Sequence, residues 1–370
     1  MEQIKEILFA LTREGLGRKC DSSKCRFNDR FDWNEVIKLA AVQGVLAIAW
    51  DGLLRLIEGE VIPIKYLPSK DIKLRWLANI DKIEQSYNRQ LKTIEKLATF
   101  YSQNGYEMML LKGYGLSLCY PIPEHRSCGD IDIWLYGRQQ EADELLRKTH
   151  GVKINEDKHH HTTFIVNGIL VENHCNFLNI HSHASNVALE KILKELSEES
   201  QNYQHNLNRV TIALPSPNFN ALFLLKHMSD HFATSETVLR HLCDWAIFAH
   251  KYGKQVDWVH INEIAKRFNL DRFLAISNRI CVENLGSDIA DFGNISSDDS
   301  SLTKRVINEI ITPEFNEMQP NGNIAKVILF RARRWWAKRW KQRLVYKESL
   351  IAIFFRRLYG YILNPMSIKK

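Results

Sequence analysis

The chain has 370 residues, 45% of them hydrophobic and 25% charged, which gives room for two or three domains and excludes a disordered protein. Its net charge of +7 is lopsided: thirteen Lys and Arg against the single acid Glu348 from Lys326 onward give +12 and leave −5 for the residues before. Seven cysteines in no disulfide spacing, a stretch 1–15 without a signal-peptide pattern and no apolar run near the about 20 residues of a membrane span predict a cytoplasmic, non-spanning protein.

Residues 33–56 and 71–101 carry apolar side chains at three- and four-residue spacing, so the first hundred residues read as helices, the first pattern broken at Gly44. Cys20 and Cys25 lack a second pair and read as a loop, not a zinc site. The stretch 106–136 then reads as a buried strand at 108–111, a Lys112-Gly113 turn, a helix of about two turns from Tyr114, and a second strand at 130–135. A helix start offers unpaired N–H groups to a phosphate, which Lys112 would contact as a point charge. In the second strand Asp130 and Asp132 share a face, roughly 6.5–7 Å apart along it, while Ile131 and Ile133 face the core. Two such carboxylates repel unless a hard cation joins them.

Residues 138–150 read as an amphipathic helix, and 152–177 as a meander turned at Asn167-Gly168. There Glu172 is the candidate third acid, on one face with His174, and Asp157 is the next candidate. His159, His160, His161, His174, His181 and His183 crowd this region. Together with Cys175 they support a rival reading as a zinc hydrolase, although their spacing fits no ligand pattern. Alternation puts His159 and His161 on one face and His160 on the other without saying which faces Glu172.

A charged helix at 187–198 and a strand at 209–214 precede Ser216-Pro217, a helix start and domain boundary. In the helix 218–232, Leu222, Leu225, Met228 and Phe232 form the buried stripe, leaving Lys226, His227, Asp230 and His231 more exposed. His227 and His231 have zinc-protease spacing, but Met228 stands where such a protease needs glutamate. Arg240 and Asp244, four apart, read most simply as an intrahelical ion pair. The helix 324–344 sets Ile324, Ile328, Ala332, Trp335, Trp336, Trp340 and Leu344 on one side and Arg331, Arg334, Lys338 and Lys341 on the other. Such a helix caps a core, or docks on an anionic membrane surface or a nucleic acid.

The run LLKGYGLSLCYPIPEHRSCGDIDIWL, followed by ILVENHCNF, LLKHMSDH and LRHLCDW, resembles the bacterial uncharacterised nucleotidyltransferase family of the DNA polymerase β-like superfamily. The wider superfamily usually has Gly-Ser at the first turn; Lys112-Gly113 stands here, as in this family's variant. The resemblance implies an α+β fold with a small mixed-sheet catalytic module at 105–214, helical lead-in at 1–104, helical domain closing a nucleotide cleft at 215–323, and a basic tail at 324–370. It implies Mg²⁺ or Mn²⁺ on Asp130, Asp132 and Glu172, with a nucleoside triphosphate, ATP first, as substrate and an unidentified hydroxyl as acceptor. Lys112, Gly113, Arg126, Lys226, His227, His231 and Arg240 would meet the nucleotide, with Asp244 orienting a basic neighbour. A regulatory protein that binds the nucleotide without turnover is the alternative, and the tail would place either at the inner membrane face.

Overall fold

The computed structural model describes residues 2–20, 25–28, 31–156, 160–234, 236–293, 299–315, 317, 320 and 324–352. Three helices open the chain: α1 (Glu2–Gly15), α2 (Trp33–Val42) and α3 (Leu46–Glu58). Asp32 caps α2 by accepting the Asn34 N–H at 2.9 Å, satisfying one of the donors a helix start leaves over. The next helix, α4 (Lys70–Gln103), runs for 34 residues, about 51 Å at 1.5 Å per residue. Its first half gives Trp76 and Ile80 to the core of the helical body, and its second half gives Tyr87, Ile94, Leu97 and Tyr101 to the core under the sheet.

The sheet has six strands in the order β3-β4-β2-β1-β6-β5: β1 (Met109–Leu110), β2 (Ile131–Trp134), β3 (His161–Val166), β4 (Ile169–His174), β5 (Gln204–Leu207) and β6 (Val210–Ala213). The β2/β4 and β1/β6 pairs are parallel and the others antiparallel, so the sheet is mixed and the fold α+β. Between the strands lie α5 (Tyr114–Ser117), α6 (Gln139–His150) and α7 (Ser185–Glu199). Ile131, Ile133, Val171 and Phe164 pack with Ala142 and Leu146 of α6 and the second half of α4. Side chains alternate across strands, so Asp132, Trp134, Glu172 and His174 turn to the other face. That face meets α8 (Pro217–Thr234) and α9 (Leu239–Tyr252), where the rings of Trp134, Phe177 and Phe219 pack in succession, tilted and edge-on, at 4.4 and 4.8 Å.

Three further helices, α10 (Trp258–Arg267), α11 (Asp271–Leu285) and α12 (Ser300–Ile311), share one apolar cluster with α1–α3. At the crossing of α1 and α3 a Cβ on Gly52 would lie 1.8 Å from the Leu11 carbonyl oxygen, so only glycine lets the backbones approach this closely. Residues 1–104 and 215–323, far apart in sequence, thus meet in a common core.

Three local expectations differ from the structure. The helix at Tyr114 is a single turn of four residues, too short to carry much of a dipole. Lys226 is buried, 3% exposed, and its ammonium pairs with Asp230 and lies 5.1 Å over the Tyr346 ring. In α13 (Ile324–Val345) the faces are turned: Lys338, Lys341, Leu344 and Val345 are buried, whereas Ala332 is exposed and Trp336 is 61% exposed. The buried residues also recur at three- and four-residue spacing, and lysine stems pack like aliphatic chains once their heads find partners. Lys338 donates to the Thr234 carbonyl and Lys341 pairs with Glu309 of α12 at 2.6 Å. Trp340 packs edge-on to Phe232 at 5.6 Å with Arg305 over its ring at 4.0 Å. The helix caps the core with two lysines in the contact. Among the described residues, Trp336 with Lys326, Arg334, Arg343 and Lys347 remains exposed; residues 353–370 lie outside the described part.

Because the side chains of Lys341 and Glu309 are 1% and 3% exposed, removing one partner strands a buried charge. Glu309→Gln should lower unfolding free energy by about 3–5 kcal/mol in a urea titration, and Glu309→Leu with Lys341→Met should restore most of it. A single-variant loss under about 1 kcal/mol, the range of exposed pairs, would mean the pair is solvated.

Candidate active site

β1 ends at Lys112-Gly113. Gly113 has φ +52° and ψ −115°, a conformation that favours glycine, and the turn it makes delivers Lys112 to the acids. The Lys112 ammonium lies 3.0 Å from Asp132 Oδ1. Burial works against its charge, but Asp132 and Asp130 outweigh burial and hold its pKa above the ordinary lysine value.

Asp132 and Glu172 are direct partners in the parallel β2/β4 pair, so their side chains leave the sheet side by side. Asp130, just before β2, is held from behind: Gln90 of α4 donates to the Gly129 and Asp130 carbonyls at 2.7 and 3.2 Å. Carboxylate oxygens of Asp130, Asp132 and Glu172 lie within 4.8 Å of one another, and such an all-oxygen set suits a hard divalent cation. Burial and the Asp132 charge push the Asp130 pKa up. Burial would raise Asp132 too, but Lys112 and the hydrogen bond with His174 overcome it and hold that carboxyl well below the usual range. His174 Nε2 is 3.0 Å from Asp132 Oδ1, and His161 Nε2 is 3.2 Å from Glu172 Oε1.

The opposite wall comes from α8 and α9. His227, Arg240, His241 and Asp244 line the cleft with Lys112, Asp130 and Asp132, and His231 lies beside them, its ring 4.4 Å from that of His227 and 5.2 Å from that of His241. Burial, then Lys112 and the neighbouring histidines, press the His227 pKa well below the ordinary value. Burial and Arg240 push His241 down to about 3, and its Nδ1 accepts the Val238 N–H at 3.1 Å. Arg240 donates to the Ser127 carbonyl at 3.1 Å and does not pair with Asp244. Asp244 instead takes a two-pronged bond from Arg126, at 2.7 and 2.9 Å, and a third from the Tyr120 hydroxyl at 2.7 Å. Arg126 is thereby held in the wall, 2% exposed, where it ties the loop before β2 to α9. Lys226 points away toward Tyr346.

Residues 29–286 match the model of the family described as uncharacterised nucleotidyltransferase, a stretch from just before α2 to the end of α11 that includes every residue of this cleft. The chain belongs to that nucleotidyltransferase family. No curated protein and no solved structure matches it.

In this family member the structure brings together Asp130, Asp132, Glu172, Lys112, Gly113, His227, His231 and Arg240 around one cleft, keeps Arg126 and Asp244 as a linked pair in its wall, and leaves Lys226 outside. Sequence reasoning missed Gln90, Tyr120 and His241. Gln90 had a readable signal, a polar residue on the stripe of Tyr87 and Ile94; Tyr120 and His241 had none.

Acid should weaken the cleft. Below about pH 6.5, the free histidine value, the unfolded chain takes up protons that folded His227 and His241 refuse, so stability falls with acid, for His241 down to about pH 3. His241→Gln should flatten part of the fall in melting temperature between about pH 6.5 and 4.5. An unchanged slope would show that this ring protonates freely in the fold.

Proposed function

We propose that the chain moves a nucleoside monophosphate from a nucleoside triphosphate, ATP first among them, to a hydroxyl acceptor, releasing pyrophosphate. The observation that supports this reading most is the convergence of Asp130, Asp132 and Glu172 within 4.8 Å, in a cleft that also holds Lys112 and Arg240. Mg²⁺ or Mn²⁺ bound by these three carboxylates would supply charge neutralisation at the phosphates and a more acidic acceptor hydroxyl. The protein's own part is to keep the acids ionised and placed, and to receive the triphosphate.

Lys112, its charge secured by the aspartates, and Arg240 across the cleft attract the phosphates and offset charge that develops on them. His227 and His241, held neutral, contribute hydrogen bonds without adding repulsion or charge. The acceptor oxygen forms its bond to the α-phosphorus as the bond to the β-phosphate oxygen breaks, and the acceptor proton passes to Glu172. The Arg126–Asp244 bond keeps α9, and with it Arg240, in register with the loop before β2. The acceptor class is left open: a sugar phosphate, a drug-like alcohol, a protein side chain and a nucleic-acid end all present the needed hydroxyl.

Mg²⁺ with ATP should raise the melting temperature, since a ligand at 100 times its dissociation constant adds about 2.7 kcal/mol. Asp130→Asn with Asp132→Asn should abolish that shift in a protein that still folds, and pyrophosphate release with an acceptor extract should disappear with it. A shift that survives the double change places the metal elsewhere. A shift in the unaltered protein with no pyrophosphate under any acceptor supports nucleotide binding without turnover.

A further inference from the structure

The sheet face that carries the acids continues into two histidines. In the antiparallel β3/β4 pair His161 stands opposite His174, and Thr163 opposite Glu172, so His161, Glu172 and His174 leave the sheet on one side. All are buried, at 3%, 9% and 3% exposure, and one donor atom from each lies within 4.8 Å of the other two.

The ring of His174 is oriented from behind. Its Nδ1 is 3.1 Å from the Asn176 carbonyl oxygen, and its Nε2 faces Asp132 Oδ1 at 3.0 Å and Glu172 Oε2 at 4.0 Å. Its Nε2 is thus fixed toward the oxygens of two carboxylates, where a metal ion would find nitrogen and oxygen donors together. A backbone carbonyl on the far nitrogen is also how metal-binding histidines are usually held. His161 supports the same reading by a different route: neither of its ring nitrogens has a hydrogen-bond partner among the described residues. Buried polar atoms are seldom left so. Its Nε2 nevertheless lies 3.2 Å from Glu172 Oε1.

We propose that His161, Glu172 and His174 form a site for a divalent transition metal of the zinc class, separate in chemistry from the all-oxygen cluster and sharing Glu172 with it. The 3.2 Å between His161 Nε2 and Glu172 Oε1 is close to the about 3.4 Å between ligand atoms of a tetrahedral ion with bonds of roughly 2.1 Å. Imidazole nitrogens favour zinc, iron, cobalt and nickel, whereas Mg²⁺ selects oxygen. The ion anchors Glu172 from the side away from Asp130. The site stands on these contacts alone and does not depend on nucleotidyl transfer.

The test uses the full chain, freed of metal by a chelator and titrated with Co²⁺, whose visible absorption reports nitrogen ligation. One ion should bind with a strong band that persists in excess Mg²⁺. His161→Gln or His174→Gln should each weaken binding by more than the about 10–100-fold typical of losing an outer-shell partner, while Asp130→Asn and His227→Gln retain the band. The proposal is overturned if the band survives both histidine changes, vanishes with Asp130→Asn, yields to Mg²⁺, or never appears. Should circular dichroism show the histidine variants unfolded, X-ray absorption of the unaltered protein loaded with Zn²⁺ decides. Two imidazoles with oxygen are expected; oxygen alone, or three imidazoles as the His227, His231 and His241 group would give, overturns it.

Discussion

Three carboxylates held on one sheet face, with oxygens inside 4.8 Å, repel one another, and a fold that keeps them there must balance their charge. Lys112 does so from the end of β1, and His161 and His174 of β3 and β4 contact the same carboxylates from the far side. The positions are not adjustable one by one. Asp132 and Glu172 are side by side because β2 and β4 run parallel in that register, and a slip of one residue would turn Glu172 to the opposite face. Asp130, outside the ladder, depends on Gln90 reaching over from α4.

The cleft has unlike walls. The sheet side is anionic, tempered by Lys112. The helix side offers Arg240 and the imidazoles of His227 and His241, whose charged forms burial disfavours. A triphosphate carries its charge in line, so an anion entering between these walls is drawn to Lys112 and Arg240 and repelled by the acids until cations accompany it. On the proposed function, the acid cluster without cations would select against a bare nucleotide. The Arg126–Asp244 bond, with Arg240 on the Ser127 carbonyl, ties the two walls together by joining the loop before β2 to α9.

What the sequence disclosed was local. Asp130, Asp132 and Glu172 could be placed because strand alternation is rigid and each has an apolar neighbour, Ile131, Ile133 or Val171, that must face inward. The start of α8 at Pro217 was legible for a similar reason: the Ser216 hydroxyl accepts the Phe219 N–H at 3.3 Å, as a serine before a proline announces. The misses have a common cause in contacts that span the chain. Arg126 and Asp244 are 118 positions apart, and nothing near either one marks the other, so Asp244 was read with its helical neighbour Arg240. In α13 two overlapping stripes satisfy helical spacing. Only Glu309, 32 positions before Lys341, decides which is inside. Lys226 was read as exposed for the same reason, its ring partner Tyr346 lying beyond the end of α13.

The long helix α4 belongs to both cores, with Trp76 and Ile80 in one and Tyr87 to Tyr101 in the other, and Gln90 stands on its second half. It therefore works as a phased spacer. Losing one residue between Ile80 and Tyr87 would draw the halves together by about 1.5 Å and rotate one against the other by about 100°, swinging Gln90 off the carbonyls it holds. Losing seven, close to two full turns, would nearly restore the phase while shortening the strut by about 10 Å, more than either core can follow. Length variation among related chains is thus expected in the loops at either end of this helix and not within it.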